Sequence, residues 1–155
     1  YTGCPTVAPS PIPCPVRQET PKALSKEEIR DVVQLYREAA RRAKEAGADG
    51  VEIHMAHGYL LNQFLSPFSN QRDDEYGGNL ERRLRMPLEV LQAVRKKVGP
   101  DFPVTCRLSA DEYVEGGLTI EDSKQIARKL EEHGADALHV SACIGASWYL
   151  RNERV

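Results

Sequence analysis

The chain has 155 residues, enough for one domain with a sizeable core, and its 21 basic and 23 acidic residues leave a formal net charge of −2. With the charges spread along the chain there is no basic footprint for nucleic acid or an anionic membrane, and no apolar run reaches the roughly 18 residues of a spanning helix. No secretory signal is visible, so the composition predicts a soluble, cytoplasmic protein with no nucleic-acid and no membrane partner. The four cysteines, at positions 4, 14, 106 and 143, lack the C-x-x-C spacing of metal sites and read as core or surface thiols in a reducing compartment; no metal site is assigned.

Residues 1–24 carry Pro5, Pro9, Pro11, Pro13, Pro15 and Pro21. Such a segment cannot be a helix or an inner strand, so it reads as a long, lid-like loop draped over something else. Its opening, Tyr1-Thr-Gly-Cys, lacks a methionine and suggests an earlier segment. Ser25 with Glu28 forms a capping box, and Ile29, Val32, Val33, Tyr36, Ala39, Ala40 and Ala43 then make the apolar stripe of a helix that Gly47 stops. Residues 49–54 read as a strand. Its side chains alternate, Val51 and Ile53 to one side, Glu52 and His54 to the other. On a surface strand the second pair would meet water, whereas in a barrel covered by helices it would point inward.

Gly58 to Leu65 leads into a loop rich in turn residues that runs to Gly78. Asn79 caps the next helix, with Leu84, Leu88, Leu91, Val94 and Val98 on one face, and Pro87 is expected to kink it or divide it. Gly99-Pro100 closes it. Residues 103–108 form the second strand, with Thr105, Arg107 and Ser109 on the polar side. After a Gly116-Gly117 turn, Thr119 and Asp122 cap a third helix, Gly134 stops it, and residues 137–141 form the third strand. The stretches Gly47-Ala-Asp-Gly-Val-Glu-Ile-His54 and Gly134-Ala-Asp-Ala-Leu-His-Val140 echo each other as repeated units would.

Alternating helices and strands indicate an α/β fold with a parallel sheet. His54, Arg107, and His139 with Ser141 all fall at strand ends, where (β/α)₈ barrels carry their sites, and no glycine-rich dinucleotide fingerprint follows a strand. Three strands cannot close an eight-stranded barrel. The reading is therefore a barrel segment in one partial domain over residues 1–155, with the loop at 1–24 and three αβ units over 25–155.

The run Val51-Glu-Ile-His-Met-Ala-His-Gly-Tyr-Leu-Leu-Asn-Gln-Phe-Leu-Ser-Pro-Phe-Ser-Asn-Gln-Arg-Asp-Asp-Glu-Tyr-Gly-Gly-Asn-Leu-Glu-Arg-Arg83 resembles the Old Yellow Enzyme family of flavin-dependent ene-reductases, especially its 2-enoate reductase-like NADH:flavin oxidoreductases. Thr105-Cys-Arg-Leu-Ser-Ala-Asp111, Gly134-Ala-Asp-Ala-Leu-His-Val-Ser-Ala142 and Pro9-Ser-Pro-Ile-Pro13 extend the likeness. The resemblance implies a (β/α)₈ TIM barrel of which this chain is the middle, about the fourth to sixth strands with the third to fifth helices. It implies FMN as cofactor, NAD(P)H as reductant, and a small unsaturated carbonyl or carboxylate, an enone or enoate, as substrate.

Carried over residue by residue, the resemblance gives His54 and His57 as the pair that binds the substrate oxygen, and Tyr59 as the catalytic proton donor. Arg107 matches the arginine that binds the flavin cofactor. Two imidazole donors would stabilise the enolate-like charge that forms as hydride reaches the β-carbon, and a phenol, ordinarily ionising near pH 10, gives its proton only to a strongly basic carbon. Asn70, Arg72, Asp73, Tyr76 and Gly77 are expected to shape their loop. From the residues alone, two other readings stay open: His54 and His57 as metal ligands without an evident third, and Arg107 as a structural ion pair with Glu52. Glu52, His139 and Ser141 receive no catalytic role.

The family's phosphate site and any iron–sulfur cluster would fall outside this segment, so the remaining barrel segments are needed as partners and little flavin affinity is expected from this piece by itself. A non-catalytic fragment or assembly module, and an amine-oxidising branch of the family, are the competing functions. The physiological substrate, the choice between NADH and NADPH, and homo-oligomer formation are left open.

Overall fold

In the computed structural model, which describes residues 5–14 and 19–147, three helix–strand units follow one another. Helix α1 (Lys26–Glu45) leads to strand β3 (Val51–Met55), helix α3 (Leu80–Val98) to β4 (Val104–Ser109), and helix α4 (Ile120–Glu132) to β5 (Ala137–Ser141). The three strands form one parallel sheet in the order β3-β4-β5. Cys4, Pro15 and the stretch 148–155 lie outside the described residues.

Helices α1, α3 and α4 each start where the cap dictates. Ser25 and Glu28 make the reciprocal box, as do Thr119 and Asp122, while the Asn79 side chain accepts the Arg82 N–H. Gly47 and Gly134, at φ 88° and 97°, supply the left-handed turn that ends α1 and α4. Helix α3 runs unbroken through Pro87, so the expected division does not occur. Proline removes one N–H from the helical ladder, and here Leu84, Met86, Val90 and Leu91, all buried, hold the flanking turns against the core.

The core lies between the sheet and its helices. Ile53, Met55, Val104, Cys106 and Leu108 point from the strands toward Ile29, Val33, Leu84, Leu91, Val94, Ile126 and Leu130 on the helices. Burying a side chain of this kind contributes roughly 1.5–3 kcal/mol, which is what commits this strand face to the helices. The opposite face then carries the polar positions. In register, His54 pairs with Arg107 and Arg107 with His139, so one row across three strands is basic.

Two features depart from the sequence expectations. Residues 60–65, to which the sequence reading assigned no element, form a short helix α2 (Leu60–Leu65) whose Leu61, Phe64 and Leu65 are fully buried. Four apolar residues within a six-residue stretch are too few for periodicity to reveal, and tertiary burial stabilises the helix. The proline-rich segment includes a parallel pair of two-residue strands, β1 (Val7–Ala8) and β2 (Lys22–Ala23). Two residues of ladder fit between prolines because each ring removes a donor only at its own position.

The loop at 66–79 is shaped as its residues predict. The buried Asn70 amide donates to the carbonyls of Phe64 and Tyr76, both at 2.7 Å, and Arg72 donates to Asp74 and to the carbonyls of Pro9 and Leu24. This fastens the proline-rich segment to the barrel segment. No described helix is long and apolar enough to cross a membrane.

Candidate functional site

Strand β3 ends at Met55, and the chain then turns sharply. His57 takes φ 62° and Gly58 φ 78°, two successive left-handed residues. For a non-glycine residue that conformation costs on the order of 1–3 kcal/mol and persists only where surrounding contacts hold it. Those contacts are present. The His57 N–H donates to Ser109 Oγ at 2.9 Å, the Gly58 N–H donates to Asn62 Oδ1 at 2.6 Å, and Gln63 donates to the Gly58 carbonyl at 2.8 Å. His57 also pairs with Ile144 as a parallel bridge.

The turn gathers side chains separated by only a few residues into one group. The His54 ring lies 5.2 Å from the His57 ring and 5.2 Å from the Tyr59 ring, tilted against both. Tyr59, at the start of α2, is 64% exposed, so its phenol can exchange protons with water. Arg107 sits beside His54 in the strand register. His54, His57, Tyr59 and Arg107 are thus all brought to the polar, C-terminal end of the sheet, as the sequence predicts.

Electrostatics at this end follow from the crowd of basic groups. Burial, followed by the positive charge of Arg107 and the proximity of His54 and His139, holds the His57 imidazole below its ordinary value. The same surroundings disfavour the imidazolium form of His57. Its Nε2 lies 2.7 Å from Ser141 Oγ, a partner supplied by the end of β5.

The expected alternative for Arg107 is overturned. Glu52 makes no ion pair with it; its carboxylate instead accepts from His139 Nδ1 at 3.0 Å and, more weakly, from Thr105 at 3.4 Å. Glu52 lies one pleat below Arg107, opposite Thr105, and His139 on the far strand reaches it first. Arg107 Nε is buried without a hydrogen-bond partner among the described residues. A buried guanidinium donor with no acceptor is costly, and the natural complement is a ligand bearing acceptor atoms. A flavin, whose ring offers carbonyl oxygens and a ring nitrogen, fits that requirement. Among the described residues no group of three metal-ligating side chains surrounds His54 and His57.

A cavity of about 530 Å³ opens beside the site, with His57, Tyr59 and Ile144 on one side and Val7, Ile12 and Pro13 on the other. The proline-rich segment is therefore a wall of this cavity, in keeping with the lid-like role expected of it. Sequence reasoning did not identify Asn62 or Ser141 as contributors. Ser141 shares the strand face of Arg107 and His139, which is a usable signal, whereas Asn62 sits on a helix that local pattern does not disclose.

Comparison with known proteins adds to this geometry. The sequence profile of the NADH:flavin oxidoreductase / NADH oxidase family matches residues 4–150. An NADH oxidase from Thermoanaerobacter brockii is 52% identical over 142 residues, 92% of this chain and 22% of the relative. Among solved structures, a 2-naphthoyl-CoA reductase in complex with 2-naphthoyl-CoA superposes with a TM-score of 0.86 at 35% identity, covering 91% of this chain and 22% of that one. Morphinone reductase in complex with tetrahydroNAD superposes at 0.76 with 37% identity, covering 90% and 43%. The chain thus spans between about a fifth and two fifths of the proteins it matches.

Proposed function

Because the chain belongs to the NADH:flavin oxidoreductase / NADH oxidase family and is a segment of a (β/α)₈ barrel, we propose that it supplies the substrate-orienting and proton-donating part of an FMN-dependent ene-reductase. In this reading it is a partial FMN-binding domain that needs the remaining barrel segments, and the complete enzyme works in the cytoplasm with NAD(P)H as reductant. FMN, when bound, supplies the hydride that NAD(P)H has delivered to it. Arg107 would hold the flavin through the donor that is otherwise orphaned, and its fixed charge favours electron-rich forms of the ring.

The chain's own residues then do three things. His54 and His57 donate hydrogen bonds to the carbonyl or carboxylate oxygen of the substrate, which lowers the cost of negative charge gathering there as hydride adds to the β-carbon. Tyr59 transfers its phenolic proton to the α-carbon. The C=C bond becomes a single bond, one hydride and one proton having been added, NAD(P)H leaves as NAD(P)⁺, and the phenolate recovers its proton from water at its exposed edge. The disfavoured imidazolium form of His57 suits the first task, since the ring then orients the oxygen while Tyr59 gives the proton.

The observation that carries this reading is the close grouping of both imidazoles with the phenol at one strand end, beside a half-buried arginine whose Nε–H has no partner among the described residues. Similarity to 2-naphthoyl-CoA reductase and morphinone reductase supports the reductase reading, while similarity to a histamine dehydrogenase from Rhizobium (TM-score 0.83, 32% identity) supports amine oxidation as the second reading. The test is Tyr59→Phe in the full-length, FMN-loaded protein. Alkene reduction should fall on the order of 10²- to 10⁴-fold, while flavin content and flavin reduction by NAD(P)H stay near those of the unaltered protein. Full retention of alkene reduction would remove Tyr59 from the chemistry and with it this reading.

A further inference from the structure

Glu112 is the most deeply buried carboxylate among the described residues, 1% exposed, and the reaction as proposed does not use it. It lies in the loop between β4 and α4, yet its side chain reaches back to α2. Oε1 accepts from Asn62 Nδ2 at 2.8 Å, and Oε2 accepts from Ser66 Oγ at 2.5 Å and from the Leu118 N–H at 2.8 Å. Burial raises its pKa, and the three donors oppose that rise. Gly117 leaves room for it, since a Cβ there would stand 2.7 Å from Oε2.

Asn62 is fully buried and has two faces, a donor and an acceptor. Both Glu112 oxygens stand as acceptors, Oε2 to the Ser66 hydroxyl and the Leu118 N–H and Oε1 to the amide, so Asn62 presents Nδ2 to Glu112. Oδ1 is then left facing the Gly58 N–H, where a donor needs an acceptor. Were the amide reversed, two acceptors would meet on one side and two donors on the other, each a buried mismatch. Gly58 lies between His57 and Tyr59, in the left-handed turn that brings them together.

Building on the function proposed above, we infer that Glu112 is a positioning residue: through Asn62 it locks the Gly58 peptide and thereby sets His57 and Tyr59 for the transfer of oxygen contacts and proton. Glu112 touches neither substrate nor flavin in this role. Its contribution is the polarity of the hydrogen-bond chain, acceptor-only at one end and donor-only at the other.

That polarity suggests a swap. Glu112→Gln brings an NH₂ group to a site built for acceptance. The new amide oxygen can serve Ser66 and Leu118, but its NH₂ then faces Asn62 Nδ2 and turns the Asn62 amide, leaving Gly58 without its acceptor. Asn62→Asp added to Glu112→Gln restores every bond. The carboxylate introduced on α2 accepts from the Gly58 N–H and from the introduced NH₂ group, while the oxygen of that same introduced amide accepts from Ser66 and Leu118.

The experiment compares the unaltered full-length flavoprotein, E112Q, and the double variant N62D/E112Q. Two readouts are used: the rate at which an enone reoxidises the reduced flavin, relative to reoxidation by dioxygen, and hydrogen–deuterium exchange at Gly58. E112Q should lose at least about 10-fold in the enone rate with dioxygen reoxidation unchanged, and Gly58 exchange should quicken by about 10-fold or more, as expected for one lost buried hydrogen bond. The double variant should return both to within about threefold of the unaltered protein. An E112Q protein that behaves as the unaltered one overturns the proposal, and so does a double variant that remains defective in Gly58 exchange or fails to fold. Should the unaltered protein reduce no activated alkene, the proposed reaction fails instead, and Gly58 exchange still decides the role of Glu112.

Discussion

His57 Nε2 and Ser141 Oγ stand 2.7 Å apart, joining the loop after β3 to the end of β5 across the intervening strand. One imidazole nitrogen is thereby committed to the protein, leaving Nδ1 for the substrate oxygen of the proposed reaction, and the tautomer is set by which partner donates.

Replacing Ser141 should therefore loosen the imidazole. Ser141→Ala in the full-length enzyme is expected to lower kcat/KM for alkene reduction roughly 2- to 10-fold, the loss of about 0.5–1.5 kcal/mol for one hydrogen bond. Ser141→Thr, which keeps the hydroxyl, should stay close to the unaltered value. Equal kinetics for the alanine and threonine variants would show that the bond orients nothing.

The depressed His57 pKa has a sign that can be checked. In the unfolded chain this imidazole titrates near 6.5, and in the fold it titrates lower, so below about 6.5 the unfolded state holds more protons. Stability from this group is complete above that value and is lost as pH falls through the folded one. Burial is the larger cause and Arg107 the next, so Arg107→Met should move the His57 midpoint only part of the way back up. Titration of the ring resonances by NMR reads this directly; an unmoved midpoint would mean that the guanidinium charge is not felt at His57.

Gly77 is required by space. A Cβ there would lie 2.2 Å from the Arg72 carbonyl oxygen and 2.6 Å from its carbon, both backbone atoms that cannot swing away. Gly77→Ala is expected to cost about 1–3 kcal/mol, seen as a lower denaturation midpoint. Gly145→Ala, where nothing lies within 4 Å, should change stability by no more than about 0.5 kcal/mol. Comparable losses at the two positions would contradict the packing of the 66–79 loop described above.

A chain of these 155 residues, prepared alone, should bind FMN weakly. Its sheet has β3 and β5 as edges, and Val140 on β5 is 62% exposed, so the surroundings that a bound ring needs are incomplete. Titration followed by flavin fluorescence should show no stoichiometric quenching; tight one-to-one binding would contradict this expectation.

Much of the molecule was legible in its residues. Ser25, Asn79 and Thr119 mark the helix starts, Gly47, Gly99 and Gly134 the stops, and the alternation in residues 51–54 and 104–109 separates a helix-facing side from a polar one. These signals are local: a cap acts over three residues and a pleat over two, so a single sequence contains them in full. The grouping of His54, His57 and Tyr59 is of the same kind, because one turn within six residues places all three.

The remaining features depend on strand register. That Glu52 meets His139 rather than Arg107, that Ser141 reaches His57 across 84 residues, and that Glu112 grips Asn62 across 50 follow from which strands adjoin and how far each is slid along its neighbour. Residues alone therefore determined the αβ units and the polar strand ends that carry His54, His57, Tyr59 and Arg107. Only the folded sheet decided their partners, because contacts between distant segments are chosen by the burial of the whole core, which no local period encodes.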